Sequence, residues 1–195
     1  FYIFDGVTYG NTVNSVFYDI DSEYAWWNEC ASEGRPNLGH KNGDTGFGQC
    51  DTPHDRHADL RSEMVYHIEQ AGYPVKYHHH ELGGAGQCEI EPLFNTILKS
   101  ADSIMVMKYM ITNTALKHDK TVTFMPKPMN GAPGNGLHFH QYLETDGKSL
   151  FFDAKGSYAC MSDMARYYIG GLLKHTPAIM ALGCPSTNSY RRFGV

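Results

Sequence analysis

The chain has 195 residues, 42% of them hydrophobic and 13% aromatic, and carries a formal net charge of −5. That length suits one compact domain of ordinary size, or most of one. The acidic balance argues against nucleic acid as the main partner, because phosphate binding needs a basic face, and no apolar run is long enough to span a membrane.

Five cysteines (Cys30, Cys50, Cys88, Cys160 and Cys184) form an odd, irregularly spaced set without a CxxC pair. This argues against a disulfide framework or a thiolate zinc site and fits a reducing, cytoplasmic setting. The chain opens on FYIFD without a Met and stops at SYRRFGV, which reads as an interior piece of a longer protein.

In chain order, residues 1–5 and 13–20 are aromatic and β-branched runs separated by YGNT, the pattern of a hairpin or meander. Residues 28–57 are rich in Gly, Asn, Asp and Pro; a polar connection that long is more often functional or mobile than inert. ADLRSEMVYHIEQAGY then places Leu60, Met64, Ile68 and Ala71 at helical spacing, with Gly72 and Pro74 closing the helix. VKYHHHEL reads as a strand, and the bend GGAG returns the chain into QCEIE.

Pro92 suits the first turn of a helix running to about Asp119. TVTFMPKP is β-like, NGAPGNG a turn, LHFHQYLET an alternating strand, and DGKS another turn. Ser162 is placed to cap a final helix through Leu182 that buries Met164, Tyr168, Leu172 and Ile179. No internal repeat is visible. Hairpins mixed with separate long helices imply an α+β fold with a mostly antiparallel sheet.

The chemistry concentrates in YHHHELGGAGQCEIE, residues 77–91. Alternation puts Val75, Tyr77, His79 and Glu81 on one strand face and Lys76, His78 and His80 on the other; Gln87, Glu89 and Glu91 share a face of the returning strand. A tight bend brings Glu81 and Glu89 side by side, and two neighbouring carboxylates require a proton, a basic partner or a divalent cation. LHFHQY adds His138 and His140 on one face, with Tyr142. Carboxylates with a single imidazole form a hard-to-borderline donor set suited to Mg²⁺ or Mn²⁺. The plainer alternatives are that His78 and His80 only hydrogen-bond within a sheet and that GGAG is an ordinary turn. No GK[ST] follows it, so it is not a Walker loop, nor is it a dinucleotide fingerprint.

Taken together, HHHE-x₄-GQ-x-E, FMPKP, NG-x-HFH and NSYRR resemble the catalytic domain of type I (bacterial-type) glutamine synthetase, in matching order and separation. The resemblance extends over nearly the whole chain, including YYIGGLLKH and the RSEM helix. It implies a mostly antiparallel curved sheet, half of an open barrel, flanked by long helices. Residues 1–195 would then be part of one catalytic domain, truncated at both ends, without the small N-terminal domain and the C-terminal part.

The implied activity is ATP-dependent formation of glutamine from glutamate and ammonia through γ-glutamyl phosphate, with two Mg²⁺ or Mn²⁺ ions per site. By position, Glu81 and Glu89 correspond to ligands of the tighter metal and His138 to a ligand of the second. Gly134 corresponds to a substrate-binding glycine. Arg192 corresponds to the catalytic arginine that holds the substrate carboxylate, a role suited to a bidentate guanidinium. Phe94, His140, Gln141 and Tyr142 fall where the family meets ATP. On residue type alone, Arg192 also reads as a solvated surface arginine and Phe94 as a core aromatic on a helix.

The sequence departs from the family pattern in four places. Pro133 stands where Asn is common before the substrate-loop glycine, Tyr142 where Ser is common, Lys76 where an acidic residue is common, and TGFGQCD where GGYFP is usual. A Glu-x-Glu pair, later glutamate and arginine residues and a flap would lie outside Phe1–Val195, so the segment alone is expected to bind Mn²⁺ weakly and to lack activity. The family's double hexameric ring implies a homododecamer in the cytoplasm, with neither a nucleic-acid nor a membrane partner. Two alternatives remain: a γ-glutamyl ligase using another amine, for which Pro133 is the motive, and a non-catalytic assembly protein, which a lysine neutralising Glu81 or Glu89 would favour.

Overall fold

The computed structural model describes residues 1–28 and 39–193. Part of the long polar connection, residues 29–38 with Cys30, lies outside the described residues. The chain divides into two compact units, Phe1–Gly136 and Leu137–Val195.

The first unit begins with strand β1 (Tyr2–Phe4), followed by the hairpin β2 (Gly6–Asn11) and β3 (Val16–Asp21). The hairpin turns at Thr12–Ser15, where Thr12 N donates to Ser15 O at 2.8 Å, rather than at YGNT. Tyr9, Gly10 and Asn11 are instead laddered against Tyr18, Phe17 and Val16. Pairing with the aromatic β3 extends β2 through residues whose local turn preference is weaker than a ladder hydrogen bond.

Helix α1 (Ala58–Gln70) buries Leu60, Arg61, Met64 and Ile68. Ala71 is exposed as its C-cap, and Gly72 follows at φ +88°. Gly72 N donates to Glu69 O and Tyr73 N to Ile68 O, a Schellman ending for which glycine's left-handed freedom is suited. Strand β4 (Val75–His80) then pairs with β5 (Cys88–Pro92).

Helix α2 spans Ile97–Lys117, so it starts five residues later than Pro92 suggested. Pro92 pairs with Val75, and Leu93 N donates to Pro74 O at 2.9 Å, so the ladder with β4 holds this stretch extended. Strand β6 (Thr121–Thr123) closes the unit by pairing antiparallel with β1. The β1–β6 and β4–β5 pairs meet through the bridge Tyr2↔Gln87 and the bond from Cys88 N to Phe1 O at 2.8 Å. One core cluster packs α1 and α2 onto these strands through Ile3, Met64, Ile68, Ile90, Met107 and Ile111. A second gathers Tyr2, Phe4, Ala25, Ala85, Met129 and Ala132.

In the second unit, β7 (Glu144–Thr145) and β8 (Lys148–Ser149) form a minimal hairpin. Its turn residues Asp146 and Gly147 have φ of +50° and +74°, the primed-turn geometry that DG favours. Residues 137–143 belong to no strand, so the LHFHQYLET strand is realised only at Glu144–Thr145. Alternation is enforced by a neighbouring strand, and in 137–143 only Leu143 has a cross-hairpin bond, its O accepting from Leu150 N at 2.8 Å; no strand fixes His138, His140 and Tyr142 on one sheet face.

Helix α3 (Asp163–Gly183) is capped as expected, Ser162 Oγ accepting from Ala165 N at 3.1 Å. It buries only Ala165: Met164, Leu172 and Ile179 are exposed and Tyr168 half-buried. The short helix α4 (Thr187–Arg191) follows, with a Ser186 capping box. Among the described residues no helix is long and apolar enough to cross a membrane.

Candidate metal centre on the β4–β5 hairpin

The register of the hairpin sets the site. His79 lies directly opposite Glu89, and Glu81 N donates to Gln87 O at 2.8 Å, so Glu81 is diagonal to Glu89 on the same face. A bulge between Val75 and Tyr77 removes Val75 from the expected alternation, since one strand carries an extra residue there. Past the bulge the alternation holds. One ligand atom each from His79, Glu81 and Glu89 lies within 4.8 Å of the other two.

The bend is pinned by close backbone approach. A Cβ on Gly84 would stand 1.9 Å from Gly43 O, and one on Gly86, at φ +107°, would stand 2.6 Å from Ile3 O. Ile3 N donates to Gly86 O at 3.0 Å, and Asn42 Nδ2 donates to Gly84 O at 3.0 Å. The glycines thus admit the neighbouring chain on both sides of the turn.

The inward face carries a buried ionic layer that sequence reading did not single out. Arg61, 1% exposed, donates to both Asp55 oxygens, at 2.7 and 2.5 Å, and to Cys88 Sγ at 3.6 Å. Burial raises the Asp55 pKa, but the hydrogen bonds and charge of Arg61 outweigh it, and the net direction is down. Burial pushes His57 down to about 3 and lowers His80 and His78 as well, so these imidazoles are neutral. His80 Nδ1 donates to Glu81 O at 2.6 Å, a backbone-fixing role for one of the two inward histidines.

His79 is the member of the cluster that lacked a ligand assignment from sequence. Its Nδ1 is 2.9 Å from His80 O, and a carbonyl can only accept, so Nδ1 carries the proton and Nε2 is left as the basic nitrogen. Nε2 is 3.8 Å from Glu89 Oε1. An imidazole whose far nitrogen is tied to a carbonyl is oriented for a metal. With two carboxylates, the set fits a divalent cation of the Mg²⁺ or Mn²⁺ kind. Lys76 pairs with Glu91 at 2.8 Å, not with Glu81 or Glu89. The signal for His79 was present in the alternation that places it beside Glu81.

The other candidates are distributed over both units. Gly134 is in the first, its carbonyl accepting from Gln87 Nε2 at 3.1 Å. Phe94 is also there, 56% exposed in the segment between β5 and α2 rather than on a helix. In the second unit, His138 and His140 are exposed, Gln141 Oε1 accepts from Tyr168 OH at 2.8 Å, and Tyr142 OH donates to Glu144 Oε2 at 3.0 Å. Arg192 is the exposed C-cap of α4.

An α+β chain with an imidazole–dicarboxylate set on an antiparallel hairpin is the frame in which the family match belongs. Residues 1–195 match the family described as "Glutamine synthetase, catalytic domain", and the chain belongs to that family. It is similar to the glutamine synthetase of Mycolicibacterium smegmatis, 47% identical over 195 residues, covering 98% of this chain and 41% of that protein. The Streptomyces coelicolor glutamine synthetase is 47% identical over 192 residues, covering 98% and 40%. The chain therefore spans about two fifths of the length of these relatives. Among solved structures, the cryo-EM structure of Plasmodium falciparum glutamine synthetase shares the fold, with a TM-score of 0.89 at 24% identity over 98% of this chain and 37% of that one. A structure described as "Apo GmaS without ligand" gives 0.67 at 30% identity over 77% and 36%.

Proposed function

We propose that the chain is part of an ATP-dependent glutamate–ammonia ligase that forms glutamine through γ-glutamyl phosphate. The carrying observation is the convergence of His79, Glu81 and Glu89 donor atoms within 4.8 Å in a member of this family. A divalent cation held there supplies positive charge to oxygens that gather negative charge during phosphoryl and acyl transfer. Glu81 and Glu89 are its carboxylate ligands, and His138 serves a second cation. Gly134 and Arg192 bind the glutamate, Arg192 pairing with its carboxylate, and Phe94, His140, Gln141 and Tyr142 line the ATP site.

In this reading the two compact units are parts of one catalytic domain, and the short antiparallel ladders are segments of a curved, half-open barrel. The assembled protein is a cytoplasmic dodecamer of two hexameric rings, and the segment by itself is inactive.

The test is glutamine formation by the full-length protein from glutamate, ammonium and ATP. Glu89→Gln should weaken Mn²⁺ binding, read by electron paramagnetic resonance, by about tenfold or more, since it removes a charged ligand. Unchanged Mn²⁺ affinity would remove Glu89 from the site. A second reading, a γ-glutamyl ligase for another amine, is favoured by Pro133, which offers no side-chain amide beside Gly134. A panel of amines decides between them: efficient use of ammonia alone sinks it.

A further inference from the structure

Gln87 has no role in the scheme above, yet it is 4% exposed and its amide makes three hydrogen bonds. Its Oε1 accepts from Gly83 N at 2.9 Å. Its Nε2 donates to Gly134 O and to Asn135 Oδ1, each at 3.1 Å. A backbone N–H only donates and a backbone carbonyl only accepts, so these partners fix which end of the amide is oxygen, and both amide protons are used.

One end of the side chain therefore sits inside the bend that joins the strands of His79 and Glu89. The other end grips the peptide of Gly134. The loop is braced from a second direction by Tyr2, whose hydroxyl donates to Pro133 O at 2.7 Å. Tyr2 also presses on the bend, since a Cβ on Gly83 would stand 2.0 Å from its hydroxyl. Asn135 in turn ties the loop to the segment after β6, donating from Nδ2 to Met125 O at 2.8 Å and from its backbone N to Pro126 O at 2.8 Å. Buried, fully used amides of this kind hold a single geometry, because a displaced partner would be left unpaired away from water.

We propose that Gln87 is a positioning residue that fixes the spacing between the Glu81–Glu89 carboxylates and the Gly134 peptide, with the Tyr2 hydroxyl bracing the same loop. This rests on the reading that Gly134 meets the glutamate substrate. Its consequence is that the metal hairpin and the amino-acid loop move as one body, which keeps the reacting carboxylate in register with the bound cation. Misplacement of about 1 Å is enough to cost a large part of the rate in such reactions.

The test uses Gln87→Met, which preserves side-chain length while removing all three bonds, and Tyr2→Phe, which removes only the hydroxyl. Both are made in the full-length protein, with glutamate KM, ATP KM and Mn²⁺ Kd measured for each. The glutamate KM should rise about tenfold in Gln87→Met and about threefold in Tyr2→Phe, with ATP KM and Mn²⁺ Kd held within about twofold. An unchanged glutamate KM, or an equal loss of Mn²⁺ affinity, overturns the role by reducing Gln87 to a support of the hairpin alone. If Gln87→Met does not assemble, Tyr2→Phe decides on the same criterion. Wild-type protein that makes no glutamine overturns the functional reading and this role with it; wild-type turnover with an unaltered variant KM overturns only the role of Gln87.

Discussion

Helices α2 and α3 are the same length, 21 residues, and both carry apolar residues at helical spacing, yet they end in different states. In the first unit α2 buries Ser103, Met107, Ile111, Thr114 and Ala115, a continuous stripe packed with Met64 and Ile68 of α1. In the second unit α3 buries Ala165 alone, and Leu172, Leu173, Ile179 and Leu182 are exposed. Periodicity marks which face of a helix is apolar. Burial requires an element laid across that face, and in the second unit the Phe151 ring, 5.1 Å from that of Tyr168, covers that residue but leaves Leu172, Leu173, Ile179 and Leu182 exposed.

The candidate metal centre follows the same division. His79, Glu81 and Glu89 stand on a hairpin backed by a core and a buried ion pair, so their spacing is set before any ligand arrives. His138 and His140 lie on a segment that belongs to no strand or helix.

The contrast can be attacked by substitution, starting where the largest change is expected. Arg61→Met leaves Asp55 buried without its cation and should destabilise the first unit by about 3–5 kcal/mol in urea unfolding. A loss below about 1 kcal/mol would mean that the ionic layer behaves like a surface pair. Met64→Ala, at the fully buried centre of the α1–α2 packing, should cost about 2–5 kcal/mol.

Acid should act next, through His57. Its folded pKa of about 3 lies far below the unfolded value, so the unfolded chain takes up the proton first as pH falls. The stabilisation is complete above about pH 6.5 and is lost progressively toward about pH 3, at up to about 1.4 kcal/mol per pH unit. His57→Gln should flatten the dependence of the urea midpoint between about pH 6.5 and pH 4.5. Some slope should remain, because burial also lowers the pKa of His80. An unaltered slope would shift the effect to other groups.

The smallest effect is expected in the second unit. Leu173→Ser, at a position 71% exposed, should change the stability of the 195-residue chain by less than about 0.5 kcal/mol. A loss as large as that of Met64→Ala would show that α3 is packed in solution and would erase the contrast.

Much of this organisation was written locally. The span of α1 followed from the spacing of Leu60, Met64 and Ile68 and from the Gly72 ending; the DG turn and the Ser162 cap followed from the φ preferences and hydrogen-bonding capacity of those residues. The pairing of Glu81 with Glu89 followed from strand alternation and a glycine bend. Sequence by itself determined what depends on near neighbours: periods, caps, turns, and the family to which the motifs point.

Only the tertiary structure decided the rest. Pro92 became a strand end because β4 lay beside it, and 137–143 gained no ladder because no described strand did. Register set His79 directly opposite Glu89, and Gln87 acquired its partners from Gly134 and Asn135, 47 and 48 residues away. Arg61 is buried because Asp55 and Cys88 accept from its guanidinium. Each outcome turned on a hydrogen-bond or charge partner distant in sequence, and local preference carries no record of where such a partner will be.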